Sequence, residues 1–320
     1  YRCVAVEVWA GSQPRGGGAQ RDSGFCVTQG SESAGPCPVG SSAGGSTGTP
    51  PAWHSESMDI SGLRERLNAI DYTTDAVLER IGQAGQDGLH RNCTVPADVS
   101  LAGAVDPLAV CVRLFLLRQQ VPTAAVEEAF GACLADLVDE GVIAVGRDHA
   151  EALVEVRPYA SPDDGASGWL VSDLTPGLDG VVTPTRPDYV LGASPASLTL
   201  TQLTMRTPVG RALDLGTGCG VQSYHLSRHA GEVVATDLNP RALRLARLGA
   251  ELSGIRVDFR EGSLFDPVEG ECFDLIVSNP PYIASGDHHL REGDLRFEPS
   301  QALAAGADGL DDLRILIDGA

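Results

Sequence analysis

Four consecutive residues, Asn279, Pro280, Pro281 and Tyr282, form the segment of this sequence best suited to chemistry. They follow the apolar run 273–278, and two prolines cannot continue a central strand because each lacks the backbone N–H that a ladder needs. The Asn279 side-chain carbonyl and the Pro280 backbone carbonyl are acceptors in a rigid frame, with the Tyr282 ring beside them. Two acceptors and an aromatic face fit a planar –NH2 group. A proline turn after a buried strand is the structural alternative.

A glycine-rich loop follows an earlier strand pattern in the same half of the chain. Residues 211–215 indicate a short buried strand that contains Asp214, and a helical pattern begins at Val221. Glycines at alternate positions let the backbone turn tightly and come within contact distance of a ligand. The candidate binding residues of this loop are Gly216, Thr217, Gly218 and Gly220.

Two further strand ends carry candidate binding residues. The next predicted strand ends in Asp237, which lies 23 residues after Asp214. At that spacing a carboxylate reaches ribose hydroxyls in nucleotide-binding α/β folds. A third strand, 255–259, leads to Ser263 and Leu264.

The alternation of strands and helices predicts a doubly wound parallel sheet, with ligands at the carboxyl ends of the strands. All four loops lie at such ends. A dinucleotide-dependent dehydrogenase shares this architecture, but it offers no reason for the proline pair.

Composition and pattern divide the chain. Residues 1–57 are crowded with Gly, Ser and Pro and lack a hydrophobic period, which predicts a disordered or non-native upstream segment, with Met58 as the hypothetical start. Residues 176–192 are predicted to be a linker, and residues 193–320 a cofactor-binding domain.

Residues 58–175 predict a smaller helical domain with a β-hairpin. Residues 152–159 alternate like a strand, and residues 168–174 are its expected partner. Helices followed by a hairpin are typical of a winged-helix-like α+β domain. Such domains bind DNA in some proteins and only partners or substrates in others; the few basic residues favour substrate or partner recognition.

Charge and composition exclude some classes. The 43 acidic and 23 basic side chains give a net charge of −20, which argues against a protein that grips nucleic acid through phosphate contacts. No apolar run approaches the roughly 20 residues of a membrane span, so a cytoplasmic location is expected. The eight cysteines include no C-x-x-C pair and are expected to be buried free thiols. No metal site is predicted.

In their order and spacing, the loops at 214–220, Asp237, Ser263 and 279–282 resemble the motifs of class I S-adenosylmethionine-dependent methyltransferases. They are most similar to the subgroup that methylates amide or exocyclic amino nitrogens. Segments within 296–310 resemble the region after the catalytic motif in release-factor glutamine N5-methyltransferases.

The resemblance implies a Rossmann-like class I methyltransferase sheet with S-adenosyl-L-methionine as its cofactor. It implies that the glycine loop, including Asp214, faces the amino-acid portion of the cofactor, that Asp237 holds the ribose hydroxyls, and that Ser263 and Leu264 flank the adenine. The implied catalytic residues are Asn279, Pro280, Pro281 and Tyr282, and Asn279 is also a cofactor contact. Sheets of this family continue beyond a fourth strand, so a C-terminally truncated sheet with an open edge beside that strand is expected.

The expected function is N-methylation of a glutamine side-chain amide in a protein such as a peptide chain release factor. Two alternatives stay open at this point. An adenine N6-methyltransferase acting on RNA or DNA would use the same proline motif. A catalytically inactive module that binds cofactor would keep the loops without the reaction.

Overall fold

The computed structural model describes residues 6–9, 25–26, 60–181, 185–292 and 300–320. Two short strands come first, β1 (Val6–Trp9) and β2 (Phe25–Cys26). The rest of the segment 1–57, predicted to be disordered or non-native, lies outside the described residues.

Four helices follow at the start of the described range 60–181: α1 (Ser61–Ile70), α2 (Thr74–Leu89), α3 (Val95–Ser100) and α4 (Pro107–Cys111). Leu63, Leu67 and Ile70 are buried on one face of α1, because residues three or four apart share a side of a helix. Asp106 caps α4 by accepting a hydrogen bond from the Ala109 N–H, and Pro107 fills the first turn.

A winged-helix-like unit follows, formed by β3 (Val121–Pro122), α5 (Thr123–Phe130), α6 (Leu134–Asp139), β4 (Ile143–Val145) and β5 (His149–Ala152). Its three strands are antiparallel in the order β3-β5-β4. In this unit β4 and β5 form the hairpin at the position of a wing, and not the segments 152–159 and 168–174 from which the winged-helix-like arrangement was predicted. These strands are three and four residues long, too short to show a clear alternation in the sequence.

The hairpin predicted from 152–159 and 168–174 is a separate element, β6 (Glu155–Ala160) paired with β7 (Ser167–Ser172). It packs on a later helix, α9 (Pro240–Ser253), instead of serving as the wing. The contact is close: a Cβ on Gly249 would lie 3.0 Å from the Trp169 carbonyl oxygen. The hairpin therefore joins the two halves of the chain.

The second half contains, besides α9, the elements α7 (Pro195–Leu203), β8 (Val209–Leu215), α8 (Val221–Leu226), β9 (Ala230–Asp237), β10 (Asp258–Glu261), β11 (Cys272–Phe273), β12 (Leu275–Ser278), α10 (Ser300–Leu303) and α11 (Asp311–Gly319). The main sheet has the order β1-β12-β8-β9-β10. The last four strands are mutually parallel, which confirms the predicted Rossmann-like sheet.

The expected open edge beside β12 is wrong. Val6–Trp9 pairs antiparallel with Leu275–Ser278, so β1 occupies that edge. Strand β11 pairs in turn with β2. The expectation of free thiols also needs correction: Cys93, Cys111, Cys133 and Cys219 are free, whereas Cys272 is disulfide-bonded.

One apolar cluster connects the halves of the molecule. It runs from α1 through the hairpin, where Trp169 and Val171 are buried, to Tyr224 of α8 and Leu248 of α9. Within the described residues, no helix is long and apolar enough to cross a membrane.

Candidate functional site

The carboxyl ends of four parallel strands lie side by side. Leu215 at the end of β8 is in register with Ser278 of β12 and with Thr236 of β9, while Asp237 is in register with Glu261 of β10. The four loops singled out in the sequence therefore leave the sheet at one edge. This is the edge at which open α/β sheets bind ligands.

The glycine loop presents bare backbone at this edge. The N–H groups of Gly216 and Thr217 both donate to the Thr236 carbonyl at 2.9 Å, which holds the loop against the end of β9. Gly216 and Gly218 have φ values of +74° and +56°, which residues with a side chain rarely adopt. A Cβ at either position would meet no atom within 4 Å, whereas one at Gly220 would lie 3.3 Å from the Ala246 Cβ. Two glycines thus face open space, and the third lets the loop approach α9.

Asp214 lies beneath the loop instead of at its surface. Its side chain is buried, and one carboxylate oxygen accepts hydrogen bonds from the Thr217 and Ser223 hydroxyls, both at 2.6 Å. Burial raises the pKa of Asp214 to about 6, although the two hydroxyl donors oppose that rise. The carboxyl group therefore joins the loop to α8.

Asp237 shapes the loop from the neighbouring strand. Its two oxygens accept hydrogen bonds at 2.8 Å from the N–H groups of Gly218 and Asn239. Burial raises the pKa of the Asp237 carboxyl, and the backbone donors limit the rise. The next residue, Leu238, is 62% exposed and adds apolar surface beside the carboxylate. The sequence analysis missed Leu238, whose only signal is its place after Asp237.

Ser263 and Leu264 follow β10 at the same edge. Ser263 is exposed, and its carbonyl accepts a hydrogen bond from the Asp266 N–H at 2.9 Å. Leu264 is partly buried and has a φ of +46°, a left-handed conformation that is strained for a residue with a branched side chain. The turn thus exposes Ser263 beside Asp237.

The proline segment leaves β12 next to the glycine loop. The Ser278 hydroxyl donates to the Leu215 carbonyl at 2.8 Å and ties the two strand ends together. Asn279 is partly buried, and in the described part of the chain its carboxamide makes no hydrogen bond. After the prolines, the N–H groups of Tyr282 and Ile283 donate to the Leu303 carbonyl at 3.2 and 2.8 Å. The segment is anchored at both ends, while no described residue occupies the Asn279 acceptor.

A contact that the sequence did not predict lies beside Asp237. The segment predicted to be a linker is attached to the first turn of α9: the Asn239 side chain donates to the Asp188 carbonyl at 3.0 Å. Asp173 forms an ion pair with Arg241 and accepts a hydrogen bond from the Val190 N–H at 2.8 Å. Residues 185–190 therefore border the candidate site. Residues 182–184, which precede them, lie outside the described part of the chain.

One group of side chains has the composition of a metal site. Asp287, His288 and His289 each bring a ligand atom to within 4.8 Å of the others, on the loop after Tyr282. Asp287 also caps the turn that follows, by accepting the His289 N–H at 2.9 Å. These three residues differ from the candidate cofactor residues and do not contact them in any described hydrogen bond.

Two family models match the chain. The model described as a methyltransferase small domain matches residues 193–295, and a domain of unknown function (DUF7059) matches residues 69–153. The release factor glutamine methyltransferase of Xylella fastidiosa is 52% identical over 113 residues, 34% of this chain and 41% of the relative. The enzyme of the same name from Geobacter sulfurreducens is 40% identical over 149 residues, 45% of this chain and 51% of the relative. The predicted resemblance is confirmed.

The chain spans about half or less of the length of the curated relatives it matches. Among solved structures, the 16S rRNA N2 G1207 methyltransferase of T. thermophilus is 22% identical, covers 60% of this chain and 53% of that chain, and has a TM-score of 0.33.

Proposed function

We propose that this chain is an S-adenosylmethionine-dependent N-methyltransferase whose acceptor is a glutamine side-chain amide in a protein such as a peptide chain release factor. The observation that carries the proposal is the Asn279 carboxamide, which makes no hydrogen bond within the described residues and lies at the end of β12 beside a glycine loop with open backbone. The names of the relatives support the choice of substrate.

The residues at the sheet edge suit the cofactor. The open faces of Gly216 and Gly218 leave room for its amino-acid portion, and Thr217 is held in the same loop by Asp214. The Asp237 carboxylate is the acceptor for ribose hydroxyls, and Leu238, Ser263 and Leu264 offer surface for the adenine. When bound, S-adenosylmethionine supplies an electrophilic methyl group carried on a positively charged sulfur.

The proline segment would hold the acceptor amide. An amide nitrogen is a poor nucleophile because its lone pair is delocalised into the carbonyl. The side-chain oxygen of Asn279 and the carbonyl oxygen of Pro280 can accept its two N–H groups and favour a pyramidal nitrogen that points toward the methyl donor. Tyr282 would cover the plane of the amide and exclude water. The fixed backbone of Pro280 and Pro281 keeps the two acceptors in place.

This mechanism relies on alignment more than on acid–base chemistry. The methyl group is already activated, so holding the amide nitrogen in line supplies most of the rate enhancement. The amide nitrogen would become positively charged on methylation and would lose an N–H proton only afterwards. No general base is required beside Asn279.

The winged-helix-like unit does not favour a nucleic-acid substrate. Its helix α6, the position of a recognition helix, carries Asp136 and Asp139, is followed by Glu140, and contains no basic residue. Phosphate contacts need arginine or lysine at such a helix. Adenine methylation is therefore the less favoured alternative.

Transfer of a labelled methyl group tests the proposal. The full chain is incubated with radiolabelled S-adenosylmethionine and, in separate reactions, with a purified release factor, with RNA and with DNA. We expect label in the release factor, mapped by mass spectrometry to a glutamine side chain, and far less label with Asn279→Ala. Label in nucleic acid would establish the adenine alternative, and cofactor binding without any transfer would establish the inactive module.

A further inference from the structure

We propose that the β6–β7 hairpin sets the cofactor affinity through His225, a positioning residue in the helix that follows the glycine loop. The inference rests on the proposed function, because it concerns the cofactor site defined there. The hairpin belongs to the first half of the chain, so the proposal couples that half to cofactor binding.

His225 is held by the hairpin at both ring nitrogens. The residue is 2% exposed; its Nδ1 lies 2.7 Å from the Asp164 carboxylate, and its Nε2 lies 2.6 Å from the Tyr159 hydroxyl. Tyr159 is on β6, and Asp164 is in the turn of the hairpin. The Tyr159 ring also packs edge-on against Tyr224 and His225, with centroids 6.4 and 5.7 Å away. The hairpin thus satisfies every polar atom of the imidazole.

Asp164 is suited to hold this histidine. Burial opposes its ionisation, but hydrogen bonds from the Ala166 N–H and the His225 ring, and the nearby charge of Arg206, keep the pKa of the carboxyl below its usual value. An Arg206 nitrogen lies 3.8 Å from the carboxylate. The acceptor for Nδ1 is therefore a charged group, which gives a stronger hydrogen bond than a neutral one.

The helix that carries His225 also carries a contact to the glycine loop. Helix α8 begins at Val221, directly after Gly220, and the Ser223 hydroxyl donates to Asp214. The Thr217 hydroxyl of the loop donates to the same oxygen. A shift of α8 would displace the Ser223 donor from Asp214, the carboxyl group to which the Thr217 hydroxyl of the loop also donates. The contacts are therefore continuous from Tyr159 and Asp164 to the residues proposed to face the cofactor.

Other contacts already attach the hairpin to the rest of the molecule. The Trp169 N–H donates to the Ser253 hydroxyl of α9 at 2.8 Å, and the Tyr72 hydroxyl donates to the Val156 carbonyl at 2.8 Å. Apolar side chains would fill the space around His225 without the cost of burying a carboxylate and an imidazole. The polar trio formed by Tyr159, Asp164 and His225 instead fixes one orientation of α8. A positioning role for His225 needs such a fixed orientation.

The first test compares two matched variants of the full chain. Tyr159→Phe removes the hairpin hydroxyl that binds His225, and Tyr72→Phe removes a buried hydroxyl that binds the same hairpin at the Val156 carbonyl but does not contact α8. Binding of S-adenosylhomocysteine is measured by calorimetry, together with kcat, KM and the melting temperature. We expect Tyr159→Phe to raise the Kd and the KM for cofactor about tenfold, within the usual range of couplings between sites, with kcat at saturating cofactor nearly unchanged. Tyr72→Phe should lower the melting temperature without changing the Kd.

A rescue variant separates positioning from packing. His225→Phe should raise the Kd at least as much as Tyr159→Phe. His225→Asn retains a side-chain N–H directed toward Asp164 and should recover part of the affinity. Equal affinities for wild type, Tyr159→Phe and His225→Phe, with lowered melting temperatures only, would overturn the inference and leave a purely structural trio.

A second measurement needs no cofactor. Amide hydrogen exchange over residues 214–226 reports the Gly218 N–H, bonded to Asp237, and the Gly220 N–H, bonded to the Thr217 carbonyl at 2.9 Å. Tyr159→Phe should speed exchange in this segment, and Tyr72→Phe should not. If the wild type fails to bind S-adenosylhomocysteine, the proposed function fails, while the exchange rates still decide whether the hairpin controls the loop. Unchanged exchange in Tyr159→Phe refutes the coupling.

Discussion

The Asp237 carboxylate accepts a hydrogen bond from the Gly218 N–H at 2.8 Å, which joins the end of β9 to the middle of the glycine loop. The other oxygen of the same carboxylate accepts the Asn239 N–H. A carboxylate has about four acceptor positions, so these two bonds leave capacity for ribose hydroxyls. The residue proposed to bind the ribose therefore also shapes the loop beside it.

Substitutions of Asp237 should separate these two roles. Asp237→Asn keeps an oxygen acceptor but loses the charge, and we expect cofactor affinity to fall about 10- to 100-fold, as for the loss of a charged hydrogen bond, with a small change in melting temperature. Asp237→Ala should lower the cofactor affinity by the same factor as Asp237→Asn or by more. It should also destabilise the fold, because the Gly218 and Asn239 donors lose their acceptor. Calorimetry with S-adenosylhomocysteine and thermal unfolding measure both effects. Wild-type affinity in Asp237→Asn would exclude a charged contact with the cofactor.

Asn279→Ala should reduce turnover about 100- to 1,000-fold, the usual range when one preorganised polar group of an active site is removed. Stability should change little, because within the described residues the carboxamide of Asn279 makes no hydrogen bond, and any loss of cofactor affinity should be far smaller than the loss of turnover. Methyl transfer under saturating cofactor and calorimetry measure the two properties.

Asn239→Ala is the matched control for Asn279→Ala. Asn239 also stands after a strand end, but its oxygen caps α9 at the Arg241 N–H and its nitrogen donates to the Asp188 carbonyl. Its loss should cost about 1 kcal/mol of unfolding free energy, as for other helix caps, and should affect turnover far less. A collapse of cofactor binding together with a large loss of unfolding free energy in Asn279→Ala would instead identify Asn279 as a structural residue.

The sequence predicted the parts of the fold that depend on local patterns. Buried strands such as Leu275–Ser278, glycines with positive φ such as Gly216, and the proline pair all leave a mark within a few residues. Parallel topology then brings Leu215, Thr236 and Ser278 to one edge without further information. The candidate site could therefore be assembled from loops in chain order.

The contacts that the sequence did not predict join distant residues. Asp173 and Arg241 are 68 positions apart, and Tyr159 and His225 are 66 apart, so no local period reveals either pair. The wing was missed because β4 and β5 are short, and the longer β6–β7 hairpin offered a stronger pattern. The pairing of β1 with β12 joins residues 6–9 to residues 275–278 and has no local signal.

The folding stability should depend on pH through Asp214. Burial raises the pKa of this carboxyl in the folded protein from the ordinary 3.8 to about 6. The extra stability of the protonated form is fully present below about pH 4 and is lost as the pH rises through about 6. The difference between the two pKa values corresponds to about 3 kcal/mol. Asp214→Asn keeps an acceptor for Thr217 and Ser223 but cannot ionise, so it should lack this loss.

Urea unfolding of wild type and Asp214→Asn between pH 4 and pH 7.5 measures the difference. We expect the difference in unfolding free energy, variant minus wild type, to increase by up to about 3 kcal/mol as the pH rises from 4 to 7.5. Comparison of the two proteins at each pH removes the effect of the other carboxylates. Parallel curves for the two proteins would show that Asp214 does not titrate in this range.

The ion pair between Asp173 and Arg241 should contribute strongly to stability, because the two side chains are only 8% and 17% exposed. Arg241→Met leaves the Asp173 carboxylate buried without its partner, and we expect a loss of about 3 to 5 kcal/mol in the unfolding free energy. The double variant Asp173→Asn/Arg241→Met should lose less, since no unpaired charge remains. Arg186 and Asp188, 64% and 39% exposed in the adjoining segment, provide the control: Arg186→Met should leave urea unfolding unchanged. If Arg241→Met lowers the unfolding free energy as little as Arg186→Met does, the attachment of residues 185–190 to α9 does not depend on this ion pair.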